Sequence, residues 1–274
     1  MTIDESTRPV PHRLLLPAVF LSLATVISAV TSLNVALPDL AADTGASQTQ
    51  ISWVVDSYAL VFAALLLIAG ALGDRYGRRL ALIVGLILFG GASLAAMFAT
   101  DIDVLIGLRV VLGVGAALVM PATLSTITTV LDAQRRQHAV AIWAGVAGAS
   151  AVLGLLAAGT LLEWFSWESV FGLNVALAVI ASALVLRAVP ESTERPEGRL
   201  DVVGGILFAV SVGAIVYAII EAPHAGWGST ETVSVLAIGV ALLAVTIAWE
   251  LRHPNPLLDP RLFGHRAFAA SSLT

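Results

Sequence analysis

The sequence predicts an all-α, polytopic membrane protein, and three observations carry that prediction. Of its 274 residues 58% are hydrophobic and 12% charged, with a mean hydropathy of +0.93, against the ~25% charged and ~45–50% apolar of an ordinary soluble domain. Eight apolar runs lie between charged punctuation, each near the ~20 residues that a helix needs to cross ~30 Å of hydrocarbon. Of the fourteen arginines, which are the only long basic residues, all but Arg109 fall on alternate loops. Barrel strands alternate apolar with polar residues, whereas these runs are apolar all round.

The first run, residues 14–37, follows Arg8 and Arg13. It exceeds the roughly 7–15 residues of a signal-peptide core, so it reads as an uncleaved span. The others are residues 53–72, 80–99, 104–130, 139–162, 170–186, 202–220 and 233–249. A cytoplasmic N-terminus places Arg8 and Arg13, then Arg75, Arg78 and Arg79, then Arg135 and Arg136, then Arg187, Arg195 and Arg199, then Arg252, Arg261 and Arg266 inside. The outer loops carry Asp39, Asp43, Asp101, Asp103, Glu163, Glu168, Glu221 and Glu231. This is the positive-inside pattern, and it predicts a multi-pass protein of the inner or plasma membrane with both termini cytoplasmic. The domains expected are a cytoplasmic N-terminus (1–13), a six-helix transmembrane bundle (14–186), a cytoplasmic linker reading PESTERPEGR (187–201), two additional transmembrane helices (202–249) and a cytoplasmic segment (250–274). That last segment turns apolar after Arg266 and reads as the start of a truncated ninth helix.

The strongest motif lies between spans two and three: Gly70-Ala71-Leu72-Gly73-Asp74-Arg75-Tyr76-Gly77-Arg78-Arg79. Glycines permit a tight turn, and Asp74 is expected near the start of the next helix, where the dipole favours a carboxylate. A positive-inside anchor needs arginines but not this interleaving of glycines and an acid. Here the chain resembles the major facilitator superfamily, whose signature in this loop is G-x-L-[AG]-D-R-x-G-R-[RK]. Span four, with Arg109, Gly113 and Gly115 followed by Pro121, resembles the family's R-x-x-Q-G-x-G-A-A pattern, with Leu112 in the glutamine position. In span one TSLNVALPDL resembles the motif of the fourteen-span drug/proton antiporter branch, as do the two helices after the first six and the HPNPLLDPRLF segment. The resemblance implies a major-facilitator-type six-helix bundle plus two further transmembrane helices, and accounts for only about eight of fourteen spans. The partners it implies are the lipid bilayer, a small-molecule substrate and protons, with a missing C-terminal half or a homo-oligomer completing the carrier.

Two departures matter. Ala29 stands where the branch carries an aspartate, and Leu155 where its G-P-x-x-G-G signature carries the proline that would bend span five. Gly145, Gly148, Gly154 and Gly159 in that span then read as small residues for close helix packing.

An ionisable group inside a span is costly and so a functional candidate; Asp56 and Arg109 qualify. Asn34, Asp56 and Arg109 lie at similar depths near the outer side, which gives two readings. Either they form one buried cluster in which Arg109 tunes the protonation of Asp56, or Asp56 snorkels outward while Arg109 bonds backbone carbonyls. Tyr58 and Phe62, four apart, and Trp143 are placed to line a cavity for an apolar or cationic ligand, or to face lipid and pack. Without cysteine, and with five histidines at no ligand spacing, no metal and no cofactor is expected. No basic block offers itself to nucleic acid, and no phosphate-binding loop supports ATP-driven transport. No pairing of a nucleophile with a base supports an enzyme. The function expected is secondary active transport of small molecules, proton-coupled drug or multidrug efflux, by a chain that is truncated. The alternative is a non-transporting membrane scaffold or sensor derived from a transporter bundle.

Overall fold

A computed structural model describes residues 12–193, 201–254 and 256–257. The expected start of a ninth helix and most of the expected linker lie outside the described residues. Those residues form eight helices and no strand: α1 (His12–Thr44), α2 (Gln48–Tyr76), α3 (Arg78–Ala96), α4 (Ile102–Val130), α5 (Ala133–Leu162), α6 (Ser169–Ala188), α7 (Val202–Ala225) and α8 (Thr230–Glu250). All eight are long and apolar enough to cross a membrane.

Several helices outrun the apolar segments that predict them. The 33 residues of α1 reach about 50 Å at 1.5 Å each, well beyond ~30 Å of hydrocarbon. Caps, not the end of hydrophobicity, set the boundaries. Ser47 and Gln50 form a reciprocal capping box at the start of α2. Asp101, Asp132, Asp201 and Ser229 each accept a backbone N–H at the starts of α4, α5, α7 and α8. Such a cap satisfies a donor the helix itself cannot.

The turn between α2 and α3 is tighter than the sequence suggests. Gly70, Gly73 and Asp74 remain helical, and only Gly77 leaves the helix, at φ 128° and ψ 127°. That conformation costs an L side chain dearly and glycine little. Asp74 therefore sits in the last turn of α2, not near the start of α3.

The chain divides into two compact units, one of residues 12–62 and 72–193 and one of residues 63–71 and 201–257. In the first, α1 packs against α4, α5 and α6, while α3 packs against α4 and α6. Its core includes Leu33, Phe89, Leu112 and Phe171. Contact between α1 and α5 depends on Gly154, where a Cβ would lie 2.7 Å from the Ser28 carbonyl oxygen. With lipid on both sides, such backbone approach replaces the hydrophobic effect as the source of helix affinity. In the second unit α7 packs on α8. Trp249 Nε1 donates to Asp201 Oδ2 at 2.8 Å, and His253 Nδ1 lies 3.4 Å from the same oxygen.

Candidate functional site

Two buried arginines of the first unit organise the site. Arg109, on α4, is 1% exposed. Its Nε donates to the Val54 carbonyl of α2 at 2.7 Å, and its guanidinium carbon lies 4.5 Å from the centroid of the Tyr58 ring. Val54 and Tyr58 are four apart and share one face of α2. A carbonyl already bonded within its helix keeps a second lone pair, which is what Arg109 uses. Tyr58 is fixed in turn: its hydroxyl donates to the Val26 carbonyl of α1 at 3.0 Å, and its ring stacks on Phe62 with centroids 6.2 Å apart. One turn along α4, a Cβ on Gly113 would lie 2.8 Å from the Tyr58 carbonyl oxygen. That close approach of α4 to α2 delivers the guanidinium to the ring. Arg109 Nη2 is buried and has no acceptor among the described residues.

The expected cluster of Asn34, Asp56 and Arg109 is corrected by helix geometry. Asp56 is half-buried, but it lies two residues from both Val54 and Tyr58, about 200° round a helix of 3.6 residues per turn. Asn34 is exposed on α1. Equal depth therefore does not bring these groups together; the partners of Arg109 are a backbone carbonyl and an aromatic face. Trp143 is half-buried and does not join Tyr58 and Phe62 either. Its Nε1 donates to Thr123 Oγ1 at 3.0 Å, tying α5 to α4. Gly113, Gly115 and Gly154 are all points of close helix approach, and Pro121 lies inside α4. Gly145, Gly148 and Gly159 would meet nothing within 4 Å as alanines, so they make no close helix approach among the described residues.

The second arginine, Arg78, opens α3 and is 2% exposed. Its Nε pairs with Asp74 Oδ1 at 2.9 Å, and its Nη1 donates to the Thr129 hydroxyl. Ser125 donates to the same Asp74 oxygen at 2.6 Å. A carboxylate at the C-terminal end of α2 opposes the helix dipole, and these two donors offset that. Arg79 Nη2 donates to the Leu186 carbonyl at the end of α6 at 2.8 Å, and the Arg78 backbone N–H donates to the Ser192 carbonyl at 3.2 Å. Arg75 lies 6.0 Å from the Tyr76 ring centroid. The Glu191 carboxylate fills the space beside Gly77 where a side chain would go. The motif thus fastens the ends of α2, α3, α4 and α6 together. Sequence reasoning missed Ser125 and Thr129; their i, i+4 spacing in the hydroxyl-rich C-terminal end of an otherwise apolar helix was the available signal.

The family model described as Major Facilitator Superfamily matches residues 19–270. Over 237 residues the chain is 38% identical to the methyl viologen resistance protein SmvA of Salmonella typhimurium, covering 86% of this chain and 48% of that one. It is 39% identical over 273 residues to the multidrug efflux pump LfrA of Mycolicibacterium smegmatis, covering 98% and 54%. To the methylenomycin A resistance protein of Streptomyces coelicolor it is 33% identical over 267 residues, covering 97% and 56%. The chain spans about half the length of these curated relatives. A crystal structure of the peptide transporter POT in complex with sulfate shares the fold with a TM-score of 0.65 at 19% identity, covering 88% of this chain and 53% of that one.

Proposed function

The chain belongs to the Major Facilitator Superfamily, and from that premise we propose that it forms the first part of a secondary transporter that exports small molecules, drugs among them, in exchange for protons. The observation that carries this reading is Arg109: a guanidinium buried among apolar helices, with one nitrogen lacking an acceptor among the described residues. An ionisable group held at that cost inside a membrane-spanning helix marks an ion or substrate path. In this reading Arg109 supplies a fixed positive charge, and Tyr58 and Phe62 hold it. The turn carrying Gly70, Gly73, Asp74, Arg75, Gly77, Arg78 and Arg79 acts as the inner gate, because it ties four helix ends that rocking of the bundle must release.

The test is proton flux in proteoliposomes holding the carrier encoded by the complete reading frame around this chain. Methyl viologen, named in one relative, is the probe. Substrate-dependent proton movement that disappears in Arg109→Ala supports the reading; substrate movement with no proton flux removes the coupling from it. Ala29 favours the scaffold alternative, being buried without the branch's carboxylate. Neither substrate nor proton movement by the whole carrier would select that alternative.

The orientation proposed puts both termini in the cytoplasm of a cell membrane. In this cysteine-free chain, Ser47→Cys and Ser229→Cys should react with an impermeant thiol reagent from outside and Ser192→Cys should not. Labelling of Ser192→Cys in intact cells overturns the orientation.

A further inference from the structure

Away from both arginine sites, α3 and α6 leave an open groove of about 510 Å³ between them, lined almost wholly by apolar side chains. We propose that this groove seats one acyl chain of an anionic phospholipid whose headgroup is held by the arginines at its end. Small residues create the space. A Cβ on Gly90 would lie 3.1 Å from the Ala178 Cβ, which closes the floor, whereas a Cβ on Gly91 would meet nothing within 4 Å. Ile87, Leu94 and Val179 stand exposed around the opening, on a face that meets lipid tails in a membrane.

Length and charge select the occupant. On α6 the lining runs from residue 175 to residue 186, about 16 Å at 1.5 Å per residue. That is the depth of one leaflet, half of ~30 Å of hydrocarbon. At its Leu186 end the groove meets Arg79, whose Nη2 donates to the Leu186 carbonyl. Arg187 is the next residue, exposed and without a hydrogen bond or ion pair among the described residues. An apolar slot one leaflet deep that ends on two guanidiniums matches a tail with a phosphodiester above it. Arginine takes such a group in a forked geometry that a zwitterionic headgroup offsets with its own cation. The far end of the groove, at Leu94 and Val175, carries no charge and is where the chain terminus would lie.

The experiment is native mass spectrometry of the purified chain after equilibration with phosphatidylglycerol and phosphatidylcholine in equal amounts. The unaltered chain should retain one phosphatidylglycerol in preference to phosphatidylcholine. Arg187→Gln, at an exposed position, should lower that preference about fivefold. Gly91→Leu, whose Cβ would meet nothing within 4 Å, puts an isobutyl group into the opening and should abolish retention of both lipids. Equal retention of the two lipids by the unaltered chain overturns the proposal, as does unchanged retention by Gly91→Leu. A dimer that Gly91→Leu dissociates while lipid retention persists also overturns it, because the groove would then hold a second copy of the chain. Should Gly91→Leu lose helical circular dichroism, the result for Arg187→Gln decides alone.

Discussion

Arg78 and Arg109 are equally hidden, at 2% and 1% exposure, yet their surroundings are opposites. Arg78 meets a carboxylate and a hydroxyl at the edge of the membrane. Arg109 meets a carbonyl and an aromatic face in the apolar interior and keeps one nitrogen without an acceptor among the described residues. A buried charge with a complete set of partners contributes to holding structure together, while one with an incomplete set is a liability to stability that some other demand must retain. The two therefore respond differently to the same substitution.

The largest effect expected is that of Arg109→Met on transport by the complete carrier: a loss of about 100-fold in initial rate, equivalent to about 2.7 kcal/mol. Its thermal stability should stay within about 1 kcal/mol of the parent or exceed it, because apolar replacement of a poorly compensated buried charge is neutral or stabilising. A large fall in melting temperature would place Arg109 among structural groups and break the contrast. Arg78→Met should do the reverse, destabilising the chain by about 2 kcal/mol in a denaturation series. That is below the ~3–5 kcal/mol of a fully buried broken pair, because Asp74 is 39% exposed and water takes over part of the solvation. The smallest effect belongs to Tyr58→Phe, which removes only the hydroxyl bond to Val26. About 1 kcal/mol of stability should go and transport should persist, since the ring beneath Arg109 remains. Loss of transport in Tyr58→Phe, with stability retained, would assign the phenol itself to the path and sharpen the site.

Much of the architecture was readable in the sequence because one physical quantity dominates it. Twenty consecutive apolar residues have few structural options in a bilayer, and arginine placement orders the loops. Helix ends were less readable, since capping by Ser47 or Asp101 acts beyond the hydrocarbon that hydropathy reports. The site was legible in its charged members and illegible in their partners. Val54 contributes a backbone oxygen, which no side-chain identity announces. Asp56 has the right depth but the wrong face, and depth alone cannot separate positions two residues apart on a helix. At the turn between α2 and α3 the motif stood out by spacing, whereas Ser125 and Thr129 are ordinary residues until α4 is laid against α2 and α3.

The unassisted start of α3 bears on how the protein is made. That helix opens without a side-chain cap, and the acceptor for its first N–H is the Ser192 carbonyl, beyond the end of α6. A chain synthesised from its N-terminus reaches the membrane with α2, Gly77 and α3 long before Ser192 exists. Until then the α3 start has an orphan donor, and the knot of Asp74, Arg78 and Thr129 stands beside an unfinished end. The turn between α2 and α3 is thus encoded early and completed late, so its closure reports that the chain through α6 and Ser192 has been delivered.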